Sequence, residues 1–169
     1  KIKPKGISLK KPIVVCVAAL VPYKRIDLAI KAVAKAKGFS FLLLGDGQLA
    51  GSLDTLGKRL LGKRYLRICP SYSEMPSYYR TADVFTLPSK TEAFGIAYLE
   101  AMGCNLPVVA TSDSSRAEII SDAGILTNPE DIESMLPLYV EAGGCMSPAQ
   151  HQRTPAQAHA GPRARAWSG

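Results

Sequence analysis

Apolar residues fall along this chain in two alternating rhythms: short unbroken runs, and longer stretches that repeat every three or four positions. The runs read as buried strands and the periodic stretches as helices. IVVCVAAL at 13–20 is the first strand, and 25–37, with Ile26, Ala29, Ile30 and Val33 at helical spacing, is the first amphipathic helix. FSFLLL at 39–44 is the second strand, and Gly45-Asp46-Gly47 leads from it into a helix ending near Leu61. A third short strand at 65–69 precedes a helix opened by Ser73, Glu74 and Pro76 and running through Arg80. Residues 84–87, 107–110 and 124–127 supply three more strands; a helix from about Phe94 follows the first of these, and one from Glu130 to near Val140 closes the series. Near-continuous apolar strands alternating with helices predict a parallel sheet covered on both faces. Right-handed crossovers then make it an α/β, Rossmann-like doubly wound fold of about six strands, which binds ligands beyond the carboxyl ends of its strands. Lys24, Gly45, Pro70 and Glu92 each follow a strand, so one rim can gather them around one ligand.

The stretch SKTEAFGIAYLEAMGCNLPVVAT at 89–111 concentrates the chemistry. Glu92 stands before a helix start, Gly95 allows close backbone approach, and the first amides of the helix point outward without intrahelical partners. Such an end attracts anions, phosphate above all. Ile96, Ala97, Tyr98, Leu99, Ala101 and Met102 predict a helix buried on most faces, with Glu100 as its only charge. A buried carboxylate needs a partner, and sugar or ribose hydroxyls suit both acids. The plainer reading makes Glu92 a helix-dipole residue and Glu100 part of a solvated edge. Lys24, after the first strand, is either a solvated loop lysine or a cation that completes a diphosphate clamp with the amides near Gly95.

Composition narrows the classes. A chain of 169 residues makes one folded unit that buries about two thirds of its unfolded surface. The net charge of +7 belongs to the ends: residues 1–11 carry five Lys and no acid, and 143–169 carry three Arg and no acid. Residues 12–142 hold thirteen basic and fourteen acidic side chains, so the core is near neutral and no nucleic-acid groove is expected. Lys58, Arg59, Lys63, Arg64 and Arg67 cluster, which reads as a solvated helix end and strand start, with an anionic acceptor or lipid headgroup as the alternative. Cys16, Cys69, Cys104 and Cys145 form no C-x-x-C pair and read as reduced core thiols. His151 and His159 lie in the tail without companions, so no metal site is expected. The Gly45-Asp46-Gly47 and Gly51 spacing departs by one from a dinucleotide fingerprint and lacks the acid about twenty residues on, which argues against NAD. No run reaches membrane-spanning length and no secretory leader follows the lysines. A cytoplasmic setting is the expectation, with peripheral membrane contact left open.

Several of these motifs together resemble one family. Glu92 and Glu100, separated by seven residues in EAFGIAYLE, look like the E-x7-E motif of the retaining glycosyltransferases of family 4 (group 1). VPYKRIDLAIKAV at 21–33, LLLGDGQL at 42–49, SYSEMPSYYRTADVFTLPS at 71–89 and SRAEIISDAGILTNPEDIE after the motif continue the likeness in order, over roughly 13–138. The resemblance implies one half of a GT-B fold, the C-terminal, donor-binding domain. It implies Glu92 and Lys24 as catalytic groups, Glu92 on donor sugar hydroxyls, Glu100 on ribose hydroxyls, and Lys24 with the amides of Phe94, Gly95 and Ile96 on the diphosphate. Ala93, Gly45 and Pro70 join the donor contacts, the loop at 69–72 holding the base largely through backbone. One departure is plain. Where the family usually carries an arginine, five residues before the lysine, this chain has Ala19, and Arg25 is the candidate substitute.

The expected organisation is therefore a basic lead-in at 1–11, a nucleotide-sugar-binding domain at 12–142, and a low-complexity tail at 143–169 that reads as disordered or non-native. The expected partners are a nucleoside diphosphate sugar donor, with no cofactor beyond it, the family's N-terminal domain upstream, and a glycan or lipid acceptor reached through that domain. Alone, the chain is expected to lack turnover. The competing class is a non-catalytic nucleotide-binding or protein-interaction module on the same fold.

Overall fold

A computed structural model describes residues 4, 6–92, 94–112, 114–121 and 124–128. Ala93, the expected helix from 130 and the tail at 143–169 lie outside the described residues.

Six strands form one parallel sheet: β1 (Ile13–Val17), β2 (Ser40–Leu44), β3 (Tyr65–Ile68), β4 (Val84–Leu87), β5 (Val108–Thr111) and β6 (Gly124–Thr127). Their spatial order is β3-β2-β1-β4-β5-β6, so chain direction across the sheet reverses between β1 and β4. Register fits that order, with Val15 facing Leu42 on one side and Phe85 on the other. Every residue of β2, β4 and β5 is buried, which for side chains alternating between faces means that both faces are covered. The outer strands β3 and β6 are only partly covered.

Among the described residues, five α-helices accompany the sheet: α1 (Ile26–Lys35), α2 (Ala50–Leu61), α3 (Met75–Tyr79), α4 (Ile96–Gly103) and α5 (Ser114–Ile120). α1 packs on α2, while α4 packs on both α3 and α5. α1 buries Ile26, Ala29, Ile30, Ala32 and Val33, the stripe its spacing predicts.

Six expectations change. The first strand stops at Val17, because residues 18–20 turn aside to bond the loop after β2: the Leu20 amide donates to the Asp46 carbonyl at 2.9 Å and the Leu49 amide to the Leu20 carbonyl at 3.0 Å. The α3 region opens at Ser71 rather than Ser73, through a capping box in which the Ser71 hydroxyl and amide both donate to Glu74 Oε2 at 2.6 and 3.0 Å, followed by a 3-10 turn at Tyr72–Glu74. α5 was not expected, and at seven residues it is too short for apolar period to reveal. α4 is buried on one side only: Tyr98 and Ala101 are inaccessible, whereas Ile96 is 59% and Leu99 42% exposed. Among the cysteines, Cys16 is buried but Cys69 is exposed, so Cys69 is not a core thiol. The basic cluster is also less free than its sequence suggests: Arg64 donates to the Phe39 carbonyl, and Arg67 Nε bonds the Asp54 carboxylate at 3.0 and 3.1 Å.

Candidate functional site

The strand-order reversal opens a crevice at the carboxyl ends of β1 and β4, the position where doubly wound sheets take ligands. A cleft of about 570 Å³ lies there. Lys24, Gly45, Pro70, Glu92, Phe94, Gly95, Ile96 and Glu100 all line it. Arg25 does not. It lines a separate hollow with Ile26 of α1 and Ser52 of α2, because its left-handed backbone (φ 51°) turns the chain into α1 and away from the cleft. Arg25 therefore does not occupy the place left by Ala19, which is itself exposed on the cleft wall. Ala93 lies outside the described residues.

Two loops bring the principal charges together. After β1, Pro22 opens a 3-10 turn at Pro22–Lys24 that lifts Lys24 toward the loop following β4. Backbone bonds join the two loops, the Lys90 amide donating to the Tyr23 carbonyl at 2.8 Å. The second loop is braced from within: Ser89 Oγ donates to the Thr91 carbonyl at 2.7 Å, and Thr111 Oγ1 from β5 donates to the Ser89 carbonyl at 2.7 Å. On this frame Lys24 Nζ reaches both carboxylate oxygens of Glu92, at 2.7 and 2.8 Å. The side chains are 13% and 11% exposed, so the pair is shielded yet still opens onto the cleft. Beneath it lies Cys16, whose thiol is pushed up to about 12, first by burial, with Lys24 opposing and Glu92 adding to the shift. It is an inert thiol.

Glu100 corrects an expectation. It is only half-buried, and its partner is protein: the Tyr79 hydroxyl on α3 donates to Oε2 at 2.8 Å. Tyr79 is 1% exposed, and burial, then the bond to Glu100, pushes its phenol far above the usual range, so it remains a donor. No ligand is needed to satisfy this carboxylate. The glycines also have a packing reason. A Cβ on Gly45 would stand 2.0 Å from the Ala18 carbonyl oxygen, and one on Gly95 would stand 2.6 Å from the Tyr98 ring. Tyr98 in turn donates to the Leu87 carbonyl at 3.0 Å, fixing the start of α4 on the end of β4.

Sequence reasoning missed Asp46, Met75 and Tyr79. Asp46 follows Gly45 in a motif read for its glycines, yet it lines the cleft and stands 3.5 Å from Arg67. Three carboxylates (Asp46, Glu92 and Glu100) and a single ammonium (Lys24) thus face the cleft among the described residues. Counterbalance comes from the amino-terminal end of α4, where amides and the positive pole of the helix meet the cleft at Gly95 and Ile96. The described residues contain no group of three or more His, Cys, Asp or Glu able to hold a metal ion, and none of their helices is long and apolar enough to cross a membrane.

Comparison with known proteins identifies the family and the fold. The family model for glycosyl transferases group 1 matches residues 1–136. An uncharacterized glycosyltransferase of Methanocaldococcus jannaschii is 33% identical over 132 residues, covering 71% of this chain and 36% of that protein. A GDP-mannose-dependent monoacylated alpha-(1-6)-phosphatidylinositol monomannoside mannosyltransferase of Corynebacterium glutamicum is 28% identical, over 82% of this chain and 40% of its own length. Among solved structures, TarM of S. aureus in a complex that includes UDP superposes with a TM-score of 0.74 at 21% identity, covering 86% of this chain and 31% of that one. The chain thus spans well under half the length of these relatives, as one parallel α/β half of a GT-B architecture. With its cleft at the strand-order reversal and the family model matching from end to end of the sheet, the chain belongs to the glycosyl transferases group 1.

Proposed function

We propose that this chain is the donor-binding domain of a retaining glycosyltransferase that moves a hexose from a nucleoside diphosphate sugar to a glycan or lipid acceptor. The observation that carries the reading is the convergence of Lys24, Glu92, the start of α4 and Glu100 on one cleft. Diphosphate enters between Lys24 and the amides of Phe94, Gly95 and Ile96, which are placed to neutralise charge growing on the leaving group. Lys24 then exchanges Glu92 for phosphate oxygen, and Glu92 turns its carboxylate to hydroxyls of the donor sugar beside the reacting carbon. Glu100 takes the ribose hydroxyls, and Gly45 and Pro70 line the nucleoside end. The sugar–phosphate bond breaks with its electron pair leaving on the diphosphate; the acceptor oxygen forms the new bond on the same face of the sugar and gives its proton to the departing phosphate oxygen. No metal is assigned a step.

The choice of base stays between uridine and guanosine, in keeping with the GDP-mannose dependence in one relative's name and the UDP in one structural neighbour. The lipid alternative for the acceptor, with peripheral membrane contact, draws on the phosphatidylinositol mannoside in the first of those names. The upstream domain would carry the acceptor, in a cytoplasmic protein. One feature favours the competing class, a non-catalytic binding module: carboxylates outnumber ammonium groups on the cleft wall, with Ala19 where the family's arginine is expected.

Glu92→Gln in the complete enzyme separates the two. Glutamine keeps the shape and an acceptor for Lys24, so folding should hold while transfer falls by about a hundredfold or more. Unchanged turnover would remove Glu92 from the mechanism.

A further inference from the structure

We propose that Tyr79 is a positioning residue for the donor nucleotide, setting Glu100 as a fixed acceptor so that the cleft selects ribose over 2′-deoxyribose. The inference rests on the reading of Glu100 as the ribose ligand. Tyr79 ends α3 and does not line the cleft that Lys24 and Glu92 line, and its hydroxyl donates to Glu100 Oε2 at 2.8 Å. That is the one hydrogen bond to the Glu100 carboxylate among the described residues.

The wall they form has two sides. Glu100 lines the main cleft and also a smaller hollow of about 230 Å³ between α3 and α4, which Tyr79 lines with Met75 and Tyr72. A carboxylate in that position has two spaces to turn into. The Tyr79 bond selects one oxygen for the protein and leaves the other to the cleft. The donor itself cannot wander: its ring is 1% exposed and packs against Phe85 at 6.0 Å between centroids, and Phe85 meets Tyr98 edge-on at 5.7 Å. This row of rings ties the carboxylate's orientation to the β4 end and the start of α4, the frame that faces the diphosphate. The Tyr79 hydroxyl spends its one proton on Glu100 Oε2, which leaves the other carboxylate oxygen to accept from adjacent ligand hydroxyls.

The alternative role is structural: a buried tyrosine hydroxyl needs a partner, and Glu100 is within reach. Discrimination between ribose and deoxyribose separates the two, because a structural hydroxyl has no reason to alter it. The test is calorimetric titration of the 169-residue chain with UDP and GDP and with their 2′-deoxy forms, in wild type, Tyr79→Phe and Glu100→Gln. Wild type should prefer the ribonucleotide by about tenfold or more, the worth of a hydrogen bond to a charged group. Tyr79→Phe should cut that preference to about threefold or less while diphosphate alone binds as before, and Glu100→Gln should remove most of it.

If Glu100→Gln loses the preference and Tyr79→Phe keeps it in full, the positioning role is wrong and the ribose reading survives. If no nucleotide binds, or wild type shows no ribose preference, the donor reading fails and this inference with it. Should Tyr79→Phe not fold, wild-type chain carrying 13C-labelled tyrosine answers the same question. The Tyr79 Cζ signal should shift with the ribonucleotide and not with the deoxynucleotide, and an equal response to both overturns the proposal.

Discussion

At the scale of single residues, the cleft is governed by how few cations it holds. Lys24, the one ammonium on the cleft wall among the described residues, is committed to Glu92 through two short bonds, so under the proposed function a diphosphate must compete for it. The pair is shielded enough for the competition to matter: charges with little solvent around them attract strongly, and neither is released without a replacement. Ala19 sharpens this. It sits exposed on the same wall, and a cation there would meet phosphate without a carboxylate to satisfy first. Ala19→Arg should therefore tighten nucleoside diphosphate binding by about tenfold at low salt, with the gain shrinking as ionic strength rises. Titration of both proteins at two salt concentrations checks it. Equal affinities would mean that the phosphate does not pass Ala19.

At the scale of elements, the loops after β1 and β2 are welded rather than loosely apposed. Gly45 has φ 140°, and a methyl group there would stand 2.0 Å from the Ala18 carbonyl oxygen. Gly45→Ala should cost about 3 kcal/mol or more in urea unfolding, since both strain and overlap oppose it. Gly51, in α2 with open space around it, is the internal control: Gly51→Ala should be neutral or stabilising by about 0.5 kcal/mol. Equal effects at both positions would show that the Gly45 contact is not a tight one.

This weld also marks where pattern reading stopped. IVVCVAAL is apolar throughout, but the ladder ends at Val17 because residues 18–20 are needed by the neighbouring loop, a tertiary demand no local run reveals. The apolar run of α4 predicts burial on most faces although Ile96 and Leu99 are exposed, since hydrophobicity alone does not say which faces are covered. β4 and β6, by contrast, span the residues that their apolar runs predict.

At the scale of the whole molecule, strand order does the gathering. Residues 24, 45, 70, 92 and 100 are far apart in sequence, and a parallel sheet with its reversal between β1 and β4 carries them to one rim. That much was legible because every one except Glu100 follows a strand, and parallel strands share a carboxyl end. The partners were not legible. Nothing in the spacing of Tyr79 and Glu100, twenty-one apart, or of Lys24 and Glu92, sixty-eight apart, indicates that each pair bonds directly. Arg25 misled for a local reason, a left-handed backbone angle that turns it from the cleft its neighbour faces.

The most direct measurement is calorimetric titration of the 169-residue chain with UDP, GDP and ADP, in wild type and in Lys24→Met. One of these nucleotides should bind with a Kd on the order of 0.1–1 mM, and Lys24→Met should weaken it by about tenfold or more. No heat from any of the three, or binding that is indifferent to Lys24, would contradict the account of this cleft as a nucleoside diphosphate site.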